Sequence, residues 1–210
     1  MTRERFLEWW DPDKLDWTFQ SYKLALEHSA HFDIWWDPGR YNWGASSWAL
    51  ARCCSEHFDK WWDPKRFNWE HSDELAKHCS NHFHKWWDPA RFNWKNGSHL
   101  LAYYCNKYFD IWWDPDKYNW CDGSRALAEA CSEHFEQWWD SKKFYVTEES
   151  LKALITNCSN HLDTWLPMIL DSSEVLRMLV PLIIANVDKA KKALLTYTLE
   201  GGGGHERPQT

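Results

Sequence analysis

The chain has 210 residues, 44% hydrophobic and 26% charged, which excludes a disordered or collagen-like polymer and allows one or two domains with a sizeable core. A formal charge of -7 opposes non-specific binding to long nucleic acid or anionic lipid. The longest unbroken apolar run, Met178 to Ala185, contains Pro181 and falls far short of the roughly 20 residues of a membrane span.

The N-terminal MTRERFLEWWDPDK has no apolar signal region, and the seven cysteines are odd in number with helical spacing. A reducing, cytoplasmic setting without a membrane partner is therefore expected. The 19 tryptophans show the organisation. Trp-Trp pairs begin at Trp9, Trp35, Trp61, Trp86, Trp112 and Trp138, a period of 26 residues with a single step of 25. Five pairs continue as Asp-Pro, two variable residues, an aromatic or Leu, Asn or Asp, and a third Trp, as in WWDPKRFNW from Trp61 to Trp69. The sixth, WWDSKKFYV, lacks the Pro and the last Trp. The period and signature differ from those of tetratricopeptide and ankyrin units, which run to about 33 or 34 residues.

In chain order, Phe6 to Trp10 reads as the tail of a truncated first unit. Asp63-Pro64 and its equivalents predict a short helix, with Asp as N-cap and Pro at the first helical position. The next block, Ser72 to Trp87, predicts a long helix capped by Ser72, as Ser98 and Ser124 would cap the later copies. At about 100° per residue, Leu75, Ala76, Cys79, His82, Phe83, Trp86 and Trp87 fall within an arc of about 140°, the width of a buried stripe. Asn96-Gly97, Asp122-Gly123 and a deletion between Trp69 and Leu75 are expected to mark divergent loops. A short-helix/long-helix unit cannot bury its aromatic face alone, so neighbours must stack. The expected fold is all-α, a right-handed α-solenoid of about 26-residue repeats over residues 1–165. An aliphatic C-terminal helical cap follows over 166–199, kinked or split at Pro181, and a flexible Gly-rich tail over 200–210.

Three ladders carry candidate chemistry. In the first, Cys54/His57, Cys79/His82, Cys131/His134 and Cys158/His161 stand three residues apart on one helical face and offer half of a tetrahedral zinc site. Core packing is the preferred account, because Cys79 sits at the centre of the apolar arc and Tyr108 interrupts the histidines. On that account the metal ligands are none; the alternative set is Cys54, His57, Cys79, His82, Cys131 and His134. The second ladder places Lys14, Arg40, Arg66, Arg91, Lys117 and Lys143 three residues after an Asp. These read as surface ion pairs, and alternatively Arg40, Arg66, Arg91 and Lys117 bind a small anion beside aromatic rings. The third comprises Trp48, outside the repeated frame, and Trp165, at the cap, both expected to be exposed and available to a ligand. No Gly-rich phosphate loop, HExxH or GxSxG occurs in the chain, and a catalytic pocket is asymmetric where these motifs recur. The expected function is a non-enzymatic scaffold, without cofactor, that engages a protein partner in its groove. Alternatives are sequestration of a nucleotide or other anionic metabolite, and zinc binding through CSxH pairs.

Overall fold

The computed structural model describes residues 2–170. Every regular element among them is helical, and they fall in two compact units, Met1–Tyr118 and Asn119–Thr210. The first holds α1 (Arg3–Trp9), α2 (Trp17–His28), α3 (Phe32–Trp35), α4 (Trp43–Cys53), α5 (Phe58–Trp61), α6 (Ser72–His78), α7 (Phe83–Trp86), α8 (Trp94–Tyr104) and α9 (Phe109–Trp112). Its longer helices pack in sequence, α2 on α4, α4 on α6 and α6 on α8. The second holds α10 (Trp120–Ala130), α11 (Phe135–Trp138), α12 (Glu148–Asn157) and α13 (Leu162–Leu170), with α10 packed on α12. Most of the expected cap, and the whole Gly-rich tail, lie outside the described residues.

The helix boundaries differ from those expected, for identifiable reasons. The Asp-Pro segment forms one turn rather than a helix. Asp63 Oδ1 accepts the Lys65 N–H at 2.9 Å, and the Asp63 carbonyl accepts those of Arg66 and Phe67. Extension stops there because Phe67 turns into the core and Asn68 begins the next element. The N-caps are the asparagines. Asn42 Oδ1 accepts from Ala45 N, Asn68 Oδ1 from Glu70 N and Asn93 Oδ1 from Asn96 N, while Asp16 does the same for α2. Helices therefore start at the third Trp of each frame. Ser72, Ser98 and Ser124 are not caps but lie buried about one turn later. Asn96-Gly97 and Asp122-Gly123 sit inside α8 and α10, not in loops. The deletion after Trp69 is also helical. Trp69–His71 is a 3-10 turn closed by His71 N to Asn68 O, where the other copies close Ser46 N to Asn42 O or Gly97 N to Asn93 O. Spending three residues per turn instead of 3.6 absorbs the lost residue, which accounts for the single period of 25.

The long helix expected over Ser72–Trp87 is broken at Cys79, whose φ of -119° and ψ of 25° end α6. A 3-10 turn, Ser80–His82, then leads into α7. The chain still advances by i→i+3 and i→i+4 bonds, with Cys79 N to Leu75 O, His82 N to Cys79 O and Trp87 N to Phe83 O. This keeps the apolar arc together across the break. Leu75, Ala76, Cys79, Phe83 and Trp86 are each at most 1% exposed.

The break leaves a buried carbonyl with spare acceptor capacity, and the first Trp of the next pair fills it. Trp86 Nε1 donates to Cys79 O at 2.8 Å, Trp61 to Cys54 O at 2.7 Å, Trp112 to Cys105 O at 2.8 Å and Trp35 to His28 O at 2.8 Å. In the second unit Trp138 reaches Cys131 O and Trp165 reaches Cys158 O. Trp165 thus closes a further copy of the frame and is completely buried, contrary to its expected exposure at the cap.

Gly97 shows how close the packing is. A Cβ there would stand 2.4 Å from Phe92 Cζ, whereas one at Gly44 meets nothing nearer than Asn42 Oδ1 at 3.8 Å. Gly97→Ala is expected to destabilise the first unit by about 1–3 kcal/mol through displacement of the Phe92 ring. Gly44→Ala should be neutral or stabilise by up to about 1 kcal/mol. Denaturant melts of the two variants check this, and equal midpoints would mean that the Phe92 ring yields freely.

Candidate functional site

The CSxH pairs send their two side chains to different tasks. The cysteine is a core thiol. Cys79 Sγ donates to Ala51 O at 3.5 Å and Cys105 Sγ to Ala76 O at 3.6 Å, each on the preceding long helix; in the second unit Cys158 Sγ reaches Ala128 O at 3.7 Å. Ala at the receiving position leaves room for the approach. Burial pushes the Cys54, Cys79, Cys105, Cys131 and Cys158 thiols up to about 12, far from thiolate chemistry at neutral pH.

The histidine is a stacking residue. His57 lies 4.6 Å from Phe32 at 12°, His82 4.4 Å from Phe58 at 6°, and His161 4.3 Å from Phe135 at 10°. Tyr108, the exception in sequence, stacks 4.4 Å from Phe83 at 12°. The slot requires a flat ring, and both residue types supply one. Each Phe is also nearly parallel to the second Trp of its own pair, as for Phe58–Trp62 at 5.2 Å and 19°. Among the described residues no group of three or more His, Cys, Asp or Glu is placed to hold a metal ion.

The basic ladder joins successive copies. Arg40 Nη1 bonds Asp13 at 2.7 Å and Pro12 O at 3.0 Å, and Pro12 O also accepts Trp17 Nε1 at 2.9 Å. Arg66 and Trp43 share Pro38 O in the same way. Arg91 places its guanidinium carbon 4.3 Å from the centroid of Trp69, and Lys117 sits 5.9 Å from that of Trp94 while pairing with Asp114 at 3.0 Å. The third Trp of each frame is therefore flanked by the cation of the next copy. Arg40, Arg66 and Lys117 also keep an Asp three residues before them within ion-pair distance, whereas the Arg91 guanidinium has no such partner.

Other positions of the long helices, exposed or half-buried, vary between copies. Five residues before the buried Leu24, Leu50, Leu75 and Leu101 stand Phe19, Ala45, Glu70 and Asn96; two residues before are Tyr22, Trp48, Asp73 and His99; two after are Leu26, Arg52, Lys77 and Tyr103. Phe19, Tyr22 and Leu26 share one side of α2 at i, i+3 and i+7. Phe19 is 72% exposed and Leu26 40%, and half-buried Tyr22 stacks 6.3 Å from half-buried Trp48 on α4. Sequence reasoning found Trp48 because it lay outside the frame. It missed Phe19, Tyr22 and Leu26, whose signal was variability between copies at one helical position. Searches with family models, of curated proteins and of solved structures find no match to this chain.

Two outcomes follow from the pairing of thiol and ring. His82→Tyr should retain the stack and shift the melting temperature by no more than roughly 3 °C, while His82→Ala should cost about 1 kcal/mol from the lost ring contact. Equal losses in both would show that the slot needs imidazole chemistry rather than a flat ring. Alkylation of the native protein with iodoacetamide should modify exposed Cys121 first and leave the five buried thiols until denaturant is added. Early labelling of Cys79, read by mass spectrometry, would contradict its place in the core.

Proposed function

We propose that the protein is a non-enzymatic repeat scaffold, continuing as the right-handed α-solenoid expected from its period and acting in the cytoplasm without a cofactor. It engages a protein partner through the exposed side of its long helices. The observation that carries this reading is the strip of Phe19, Tyr22, Leu26 and Trp48. Phe19 and Leu26 stand exposed there, Tyr22 and Trp48 stack beside them, and the equivalent positions of the third copy hold Glu70, Asp73 and Lys77. Aromatic residues on a rigid helical face are the usual anchors of protein interfaces. No helix among the described residues is long and apolar enough to cross a membrane, which accords with a partner in solution.

A second reading rests on Arg91. Its guanidinium lies over Trp69 with no carboxylate partner, an arrangement able to hold a small anion such as a nucleotide phosphate against a ring. Charge elsewhere in the ladder is already spent on Asp13, Asp63 and Asp114.

Phe19→Glu with Leu26→Glu should leave the thermal melt unchanged and reduce recovery of a co-purifying partner at least ten-fold relative to the wild type. Retention of that partner by the double variant would remove the strip from the interface. Stabilisation by several degrees in a metabolite panel, abolished by Arg91→Ala, would favour the small-anion reading instead.

A further inference from the structure

The first copy of the frame is seated differently from the others. Where later copies close the long helix with Cys54, Cys79 or Cys105, α2 ends in His28. Phe6 of α1 rests against two imidazoles, His28 at 5.2 Å and His31 at 4.8 Å, and Trp9 lies 5.1 Å from His28. Trp9 is 45% exposed, while its counterparts Trp35, Trp61, Trp86 and Trp112 are each 1% exposed. A further ring contact, Trp10 with Trp17 at 6.0 Å, completes the seat. The imidazole of His28 touches both Phe6 and Trp9.

That imidazole is poorly placed to carry charge. Its side chain is 15% exposed, its Nδ1 is buried without a hydrogen-bond partner, and its Nε2 stands 4.0 Å from the Glu27 carboxylate, which is itself 64% exposed. A neutral ring leaves one nitrogen as an unpaired acceptor; an imidazolium must place two N–H donors and a charge in the same space. Of the described charged groups that reach it, Glu27 favours protonation, whereas His31 opposes it. Burial dominates and holds His28 below the usual imidazole range.

We infer that His28 is an acid-operated latch: its protonation breaks the seat beneath Phe6 and Trp9 and releases α1 while the long helices of the first unit stay folded. The sign follows from linkage. A histidine lowered in the folded state contributes stability that is present above its unfolded value of about 6.5 and is lost as pH falls below it. His78, half-buried beside Glu74 at 3.2 Å and lowered for the same reason, adds a general acid sensitivity in α6, so the latch must be read locally.

Hydrogen–deuterium exchange of the full chain at pH 7.5 and pH 5.5, corrected for intrinsic exchange, provides that local reading. The amides of Phe6 and Trp10, which bond Thr2 O and Phe6 O, report on α1, and those of α4 serve as the internal control. Protection in α1 is expected to fall at least ten-fold more than in α4 on acidification. His28→Cys, the residue of the later copies, should keep α1 protected at pH 5.5. His28→Gln provides the same test should the thiol variant fold poorly, and Phe6→Ala sets the signal of a released α1 at pH 7.5. Equal protection at the two pH values in the wild type, or an undiminished acid loss in the folded His28 variants, would overturn the latch.

Discussion

The bond from the first tryptophan of each pair to the carbonyl seven residues earlier is the constraint on which the fold rests. A helix end leaves carbonyls short of partners, and here that end is buried; the carbonyl takes one backbone N–H from the following 3-10 turn and a second donor from a side chain that is otherwise apolar. Indole meets both demands. It fills the core at 1% exposure and delivers one N–H to Cys54 O, Cys79 O or Cys105 O. Phenylalanine in that place would leave the carbonyl with its single backbone donor, and tyrosine would present its hydroxyl at the far end of the ring. The other two tryptophans of the frame have separate duties. The second lies parallel to the Phe before it, and the third donates to the Pro carbonyl of its own turn, as Trp69 does to Pro64 O at 3.0 Å. The abundance of one residue type thus reflects three distinct uses per copy.

Polar groups fix how one copy meets the next. In the first unit Ser21, Ser47 and Ser72 are completely buried, and each hydroxyl accepts the backbone N–H of the next copy's asparagine: Asn42 at 3.0 Å, Asn68 at 3.1 Å and Asn93 at 2.8 Å. The same asparagines send Nδ2 back to Thr18 O, Gly44 O and Glu70 O. A slip of one residue between copies would break the part-buried bonds from the asparagine N–H groups to the serine hydroxyls, each at a cost of about 1 kcal/mol. Apolar packing of Leu and Ala against each other tolerates more slippage than this, so the hydrogen bonds set register while the rings supply most of the burial. Interfaces built this way couple neighbours, as in other repeat arrays.

Much of this was legible in the sequence, because burial depends on period more than on helix continuity. The arc drawn through Leu75, Cys79 and Trp86 identified the buried face although the helix breaks at Cys79, since the 3-10 turn preserves the direction of advance. The boundaries were not legible. Ser and Asn are both good caps, and only the burial of Ser72, with its hydroxyl taken by Asn93 N, shows which one begins the element. Pro after Asp suggests a helix start, yet the following aromatic is drawn into the core after one turn. His82 and Tyr108 appeared discordant as ligands and become equivalent once Phe58 and Phe83 are seen beneath them. Trp165 appeared isolated because its copy had lost the Asp-Pro signature, although its distance from Cys158 matches that between Trp138 and Cys131.

Comparison between copies separates architecture from function without reference to any other protein. Positions with a packing duty hold nearly one residue type, such as Leu at 24, 50, 75 and 101 and Ala at 25, 51, 76 and 102. Where duty is absent, the residue is free, and neutral drift on a solvent-facing helix favours polar side chains because nothing there compensates for exposed apolar surface. Glu70, Asn96 and, in the second unit, Asp122 fit that expectation; Phe19 does not. Repeat packing supplies no reason for a ring that is 72% exposed at a position its sister copies fill with Ala, Glu and Asn. Exposed large apolar side chains recur unevenly among the copies, Phe19 and Leu26 on α2 and Tyr103 on α8, so the period that fixes the buried face does not fix this one.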